Sequence, residues 1–317
     1  MINRIDWEGT PAYEMENDQL IVRICPALGS NVYSIWDKKL GRELLRTPSG
    51  PQELEEAPVQ YGTPILMPPN RIRGARFTFE GREYRFDVTN SYGHHVHGML
   101  RNQAWTVTAT GHREDTTYIT CVLRLAEDEN VQRQYPHALE LELTCELKGG
   151  LLRHSLRAVN RGDVTAPFGY GLHTWFRLDG EPEKWKLQLP SSGIWELDET
   201  KVPTGEMVPL GEAYTRLLRG DTLEGYDMDT VFQIGDYPRL AVLCRKGVEL
   251  RYSASEAFKQ WVVFTKGEAR DYICLEPYTW VTNAPNIIGH PAEVTGLRGI
   301  APGEELTLEV KLEVIHT

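Results

Sequence analysis

The residues best suited to moving a proton in this chain stand in apolar or glycine-rich company. Glu276 follows the run YICL and precedes Pro277, Tyr278 and Trp280, within YICLEPYTWVTNAPN, residues 272–286. Proline donates no ladder hydrogen bond, so the strand is expected to end, or to lie at a sheet edge, at Pro277. A carboxyl group among such neighbours loses solvation, its pKa rises, and it becomes a candidate general base. By itself Glu276 reads more simply as a rim glutamate in an ion pair. His173 lies in APFGYGLHTWF, residues 166–176, flanked by Phe168, Tyr170, Leu172, Trp175 and Phe176. Burial with few counter-charges keeps an imidazole neutral or poised near physiological pH, which suits taking and giving a proton. A core histidine bonded to a carbonyl is the equal alternative.

Three further stretches carry polar groups where a core pattern would not. In SYGHHVHGML, residues 91–100, His95 and His97 fall on one face of a strand and His94 on the other. The i, i+2 pair resembles half a zinc site, but no third ligand has the right spacing, so no metal is expected. Gly98 lets something approach the backbone beside His97. Which of the three histidines faces a pocket is left open, with His94 and His95 the better candidates for structural roles. Asn70-Arg71-Ile72 follows Pro68-Pro69, which fix an extended approach. An arginine held that way can fork two hydrogen bonds to vicinal hydroxyls or a carboxylate, or pair with a surface acid. In GYDMDTVF, residues 225–232, Asp227 and Asp229 point the same way on an alternating strand, or form an acidic turn.

The elements that must hold these groups are strands. Residues 138–147, ALELELTCEL, alternate apolar at the odd positions and polar at the even ones, a strand with one buried face. Residues 148–150 make a turn into a return strand, and 306–314 alternate as cleanly. Residues 76–86 read as a hairpin turning at Glu80-Gly81. Further strands are predicted at 19–25, 31–36, 104–109, 116–126, 184–189, 240–245, 248–253 and 259–265. Helical periodicity is confined to one possible turn at 255–259. With 28 glycines and 19 prolines concentrated between strands, the pattern predicts an all-β, antiparallel sandwich or barrel. The Pro/Gly-rich segment 47–70 carries aromatic and aliphatic residues too, and reads as a long functional loop inside one domain spanning residues 1–317.

Composition narrows the partners. A formal net charge of −11 over 317 residues argues against nucleic acid or anionic membrane and is neutral toward an uncharged ligand. No apolar run reaches membrane-span length, and no apolar segment follows Met1, so a cytoplasmic protein is expected. Five scattered cysteines, Cys25, Cys121, Cys145, Cys244 and Cys274, without a C-x-x-C pair, fit buried free thiols. The oligomeric state is not readable. Nucleotide-loop and serine-hydrolase signatures do not occur, and no cofactor is expected.

Taken together in order, these motifs resemble the aldose 1-epimerase (galactose mutarotase) family. The likeness spans most of the length: Asn70-Arg71-Ile72, Gly81 to Tyr84, Asn90 with His97-Gly98, His173 to Phe176, Pro203 to Gly205, Asp229 to Phe232, Leu275 to Thr279, Asn283-Ala284, and Ile300 to Leu306. The resemblance implies a β-supersandwich with few short helices and interconversion of the α and β anomers of a free aldose. It implies Glu276 as general base, His173 as general acid, His97 placing the substrate and its ring oxygen, and Asn70, Arg71 and Asp229 at the sugar hydroxyls. Many members carry H-G-G where His97-Gly98-Met99 stands, and H-x-Y-F where His173-Thr174-Trp175-Phe176 stands, so the preferred sugar is left open. The chemistry fits: one proton leaves the C1 hydroxyl and one reaches the ring oxygen, which asks for a base and an acid expected on opposite sides of the ligand. Trp105, Trp175, Tyr278 and Trp280 are candidate stacking faces. A hexose-6-phosphate 1-epimerase, with Arg71, Arg73 and Arg76 at the phosphate, is the enzymatic alternative. A carbohydrate-binding protein without turnover, and a glycosidase built on Glu276 and an aspartate, are the others.

Overall fold

The protein is described by a computed structural model covering residues 1–265 and 271–317. It is built of antiparallel strands. A nine-stranded sheet runs in the order Thr106–Arg113, Thr116–Arg124, Leu139–Lys148, Leu151–Asn160, Glu305–Ile315, Val248–Ala254, Leu240–Arg245, Lys186–Gln188, Asp221–Thr222. A second sheet runs Pro203–Val208, Gly193–Leu197, Asp229–Gln233, Gln260–Thr265, Tyr272–Tyr278, Gly171–Leu172, Ile65–Leu66, with Thr174–Arg177 also paired to Tyr272–Tyr278. Residues 2–43 form a five-stranded sheet of their own.

The alternation seen in the sequence is the burial pattern. Leu139, Leu141, Leu143, Cys145 and Leu147 are buried and the residues between them half-buried. Their apolar faces share one continuous core with Phe232, Val263, Ile273 and Leu275 of the second sheet. Two hydrogen bonds cross that core: His154 Nε2 meets the Tyr170 hydroxyl at 2.6 Å, and Thr174 Oγ1 meets the Tyr252 hydroxyl at 2.7 Å. Such bonds satisfy groups whose burial would otherwise be costly. The hairpin turns at Glu80-Gly81 as predicted, with φ of 46° and 77°, the left-handed pair a tight two-residue turn requires.

Three expectations are corrected. The strand at Glu276 does not end at Pro277; it runs on to Tyr278. The sheet tolerates the proline because the neighbouring chain is interrupted there: Thr174 pairs with Leu275 and Gly171 with Tyr278, and no partner register covers Glu276 and Pro277 on that side. Residues 255–259 hold a turn without a helix. Four short helices stand elsewhere among the described residues, at Pro51–Glu56, Glu129–Gln134, Glu212–Leu217 and Ala292–Thr295. At six residues or fewer they are too short to show a 3.6-residue period. Segment 47–70 contains the first of them. All five cysteines are free thiols, and Cys244 alone is not fully buried. No described helix is long and apolar enough to cross a membrane.

Gly171 faces the Tyr278 ring so closely that a Cβ would lie 2.1 Å from the ring carbon Cδ1. Gly171→Ala is therefore expected to displace a fully buried tyrosine and to destabilise the fold by about 1–3 kcal/mol. Thermal and denaturant melts read this directly, and an unchanged midpoint would show that the ring can give way.

Candidate active site

Glu276 is 1% exposed, with Val262 paired to it on the next strand. Its carboxyl group accepts a very short hydrogen bond from the Tyr278 hydroxyl. Burial is the largest influence on it and pushes its pKa up to about 8; Asp229 adds to the rise, while the Tyr278 bond and Arg71 oppose it. His173 sits at the break between Gly171–Leu172 and Thr174–Arg177, its backbone N–H donating to the Pro64 carbonyl at 3.0 Å. Its Nε2 lies 3.4 Å from Glu276 Oε1. Burial, with Arg71 nearby, lowers the imidazole to about 3.

Orientation of the His173 ring comes from packing. Its Nδ1 has no hydrogen-bond partner among the described residues. The ring instead stacks on Trp175, centroids 5.3 Å apart and planes 12° from parallel. Trp175 is itself pinned: its Nε1 donates to the Val59 carbonyl at 2.8 Å, and the Arg46 guanidinium lies 5.0 Å from its ring centre. Arg46 is held in turn against Tyr61 and Tyr272. Caging a cation among three rings stabilises all of them in place.

His97 completes one side. Its ring centre is 5.1 Å from that of His173, and its φ is +66°. That left-handed backbone breaks the alternation assumed for His95 and His97, so the two do not share a face as expected. Gly98 follows, also at φ +66°, where a Cβ would meet the Met67 carbonyl oxygen at 2.3 Å. The His97 N–H donates to the Asn70 carbonyl at 2.8 Å. Burial, then His173, holds the His97 imidazole well below its ordinary range. His94 and His95 do not line the cavity: His94 is bonded to Gly74 N–H and Thr200 Oγ1, and His95 to the Asp87 carbonyl.

Asn70 and Arg71 follow Pro68-Pro69, but the approach is not extended throughout: Asn70 holds a left-handed φ of 54°, and the strand begins at Arg71. Arg71 donates to Asn70 Oδ1 at 3.0 Å and stands 3.9 Å from Asp229. Asp229 opens its strand, while Asp227 lies before it and is exposed, so the two do not share a strand face as expected. Arg73 is engaged by Asp198 at 2.7 Å and Arg76 is exposed on the hairpin. Neither reaches the cavity, which removes two of the three arginines considered for a phosphate.

These groups enclose one cavity of about 210 Å³, lined by Glu276, His173, His97, Asn70, Arg71 and Asp229 with Trp175, Val262, Phe264, Val59 and Gln60. All six residues singled out in the sequence converge there. Val59, Gln60, Val262 and Phe264 carried no sequence signal beyond the reading of 47–70 as a functional loop. Of the aromatic candidates, Trp175 lines the cavity and Tyr278 bonds Glu276; Trp105 and Trp280 are buried in the core. Glu276 and His173 are adjacent rather than on opposite sides. Cys274 joins them to put three donor atoms within 4.8 Å of one another, a trio the histidine spacing did not suggest. Burial drives the Cys274 thiol far above its usual pKa, so it is a poor source of the thiolate a metal would need.

A buried carboxyl–imidazole pair in contact at the wall of a cavity, on an antiparallel β-sandwich, is an arrangement suited to proton transfer. The model of the aldose 1-epimerase family matches residues 11–313. The chain belongs to that family. Its fold is that of a galactose mutarotase-like protein from Clostridium acetobutylicum, 23% identical, with a TM-score of 0.94 over 100% of this chain and 99% of that one. A galactose 1-epimerase from Lactobacillus acidophilus NCFM, 16% identical, superposes with a TM-score of 0.81 over 100% and 99%. The uncharacterized Escherichia coli (strain K12) protein YphB is 25% identical over 258 residues, 79% of this chain and 82% of its own length. Pig galactose mutarotase is 27% identical over 157 residues, 47% of this chain and 43% of its own.

The Glu276 shift sets a pH dependence of stability. Below pH 4.5 folded and unfolded chains both hold the proton. Between 4.5 and about 8 the unfolded chain releases it while the folded one retains it, so stability is lost as pH rises, by on the order of several kcal/mol across the window. Glu276→Gln lacks this loss. Its melting temperature relative to the unsubstituted protein is expected to be higher at pH 8 than at pH 5, and an equal difference at both would mean the carboxyl is ionised when folded.

Proposed function

We propose that the chain is an aldose 1-epimerase that equilibrates the anomers of a free aldose. The observation that carries the reading is the contact between Glu276 and His173 at the wall of a cavity whose other polar groups suit hydroxyls. The hydroxyl oxygen at C1 and the ring oxygen are bonded to the same carbon, so groups serving them belong side by side. Glu276 takes the proton from the C1 hydroxyl and His173 delivers one to the ring oxygen as the C1–O bond opens. Rotation about C1–C2 presents the other face, and the two proton transfers reverse on closure. His97 sits beside His173 to fix the ring oxygen, while Asn70, Arg71 and Asp229 take hydroxyls further round.

The proton count agrees with that cycle. A protonated Glu276 beside a neutral His173 holds one proton, as does an ionised Glu276 beside an imidazolium. The two are tautomers, so the pair titrates as a unit. Binding polar hydroxyls favours the ionised arrangement, which is the reactive one. Arg73 and Arg76 stand away from the cavity, which favours a free sugar over its 6-phosphate.

Polarimetry on freshly dissolved α-glucose, α-galactose and a panel of pentoses tests the activity; no acceleration with any of them rejects it. Glu276→Gln and His173→Asn are each expected to lower kcat by about 10²–10⁴-fold with the fold retained by circular dichroism. A Glu276→Gln variant that keeps most of its activity would show the base misassigned. The pH profile gives an independent check. kcat/KM is expected to fall as pH rises through about 8, where the pair loses its single proton. A rate that climbs through that range instead would mean a lone carboxylate does the chemistry.

A further inference from the structure

The two carboxyl oxygens of Glu276 have different partners. Oε1 lies 3.4 Å from His173 Nε2, and Oε2 accepts the short hydrogen bond from the Tyr278 hydroxyl. Glu276 lines the cavity and Tyr278 does not. We propose that Tyr278 is a positioning residue for the proton transfer: by holding Oε2 from the core side, it makes Oε1 the oxygen that serves the sugar and exchanges a proton with His173. This rests on the epimerase reading and adds to it a residue that stands outside the cavity.

The last torsion of a glutamate is broad and roughly two-fold, so an unheld carboxyl group presents either oxygen. Tyr278 removes that freedom. It stands two residues along the same strand, so both side chains leave one face of the sheet. Its ring is fully buried and seated against Gly171, the residue paired with it, where any Cβ would collide with the ring. The hydroxyl has no partner other than Glu276 Oε2 among the described residues. Burial, and then the nearness of Glu276, drive its pKa well above the ordinary range. Tyr278 therefore keeps its proton, and donates it, throughout the range in which Glu276 titrates.

With that donor on Oε2, a proton held by Glu276 resides on Oε1, facing His173 Nε2. Exchange between the two tautomers is then a transfer across one contact. Oε1 gives its proton to Nε2, the carboxyl becomes carboxylate and the imidazole imidazolium, and the pair's proton count is unchanged. The bond also favours the ionised form, because a carboxylate accepts more strongly than a carboxylic acid. The other groups around Glu276 divide. Asp229 opposes its ionisation and Arg71 favours it, while burial keeps the Cys274 thiol, the Tyr252 hydroxyl and the His97 imidazole neutral. Of the influences that oppose burial at Glu276, the Tyr278 bond is the largest.

Tyr278→Phe keeps the ring and removes the donor. It is expected to lower kcat by about tenfold to a hundredfold with KM unchanged, because the lost contact is not one with the sugar. The fall of kcat/KM at high pH is expected to move upward by about one to two pH units: a hydrogen bond to a charged group is gone, so the carboxyl group holds its proton more tightly and the pair loses it later. Replacing Tyr278 with 3-fluorotyrosine, a more acidic donor of nearly the same shape, is expected to move the same limb downward, and serves if the phenylalanine variant is too unstable to assay. Infrared difference spectra read the carboxyl group directly: the carboxylic-acid band that Glu276→Gln lacks is followed against pH in each protein, without sugar. A midpoint that is the same in Tyr278→Phe as in the unsubstituted protein, or in the 3-fluorotyrosine protein where that one is used, overturns the proposal. So does a Tyr278→Phe loss carried by KM alone. An unsubstituted protein that accelerates no aldose removes the epimerase reading instead, and the infrared midpoints still decide whether Tyr278 governs the Glu276 proton.

Discussion

A carboxyl group shut away from water sets the terms for this molecule. Glu276 is walled by Val262 and the aromatic rings around it, receives one hydrogen bond from Tyr278, and touches one imidazole. Removing an ionisable group from water costs several kcal/mol unless it is neutralised or paired. The chain meets that cost with the rest of its core: two large sheets sharing one apolar interior, with Tyr278 fully buried between them. A looser scaffold would admit water, return the carboxyl to its ordinary pKa and separate it from His173. The stability of the sandwich and the raised pKa of the buried carboxyl are therefore one property.

The site is made where the sheet is broken. Strand Tyr272–Tyr278 has a continuous partner on one side, Gln260–Thr265, and a divided one on the other. The division falls at His173, whose N–H turns to Pro64, and it falls opposite Glu276 and Pro277. His173 is buried all the same, but it lies off the ladder. The break frees its ring to lie on Trp175, and the proline costs nothing at a place where the ladder is already interrupted. On the far wall, the close passage of Gly98 over Met67 serves the same end, turning His97 inward through a backbone conformation that side chains rarely adopt.

Much of this was legible from residue order. Period-2 alternation locates strands because a sheet with one buried face admits no other pattern, and the paired turn at Glu80-Gly81 fixes its hairpin. Glu276, His173, His97, Arg71, Asn70 and Asp229 were visible because each breaks an apolar or glycine-rich context. What escaped is what depends on three dimensions. Val262 and Phe264 are ordinary strand residues until pairing sets them beside Glu276 and Asp229. The left-handed turn at His97 cannot be seen in the spacing of three histidines, so the shared face read for His95 and His97 was wrong. Pro277 suggested a strand end because the sequence cannot reveal that its neighbour is broken. Arg46, far from the motifs, becomes informative only once three aromatic rings close on it.

The nine-stranded sheet has one further implication. Its central member is the strand Glu305–Ile315, placed between Leu151–Asn160 and Val248–Ala254. The sheet is thus two halves joined by a segment that leaves the ribosome after all the others. Until it emerges, two long inner edges stand open, each offering unpaired backbone groups to any passing strand. The nascent chain must wait with its halves apart, and shielding of those edges during synthesis becomes part of how the protein reaches its native state.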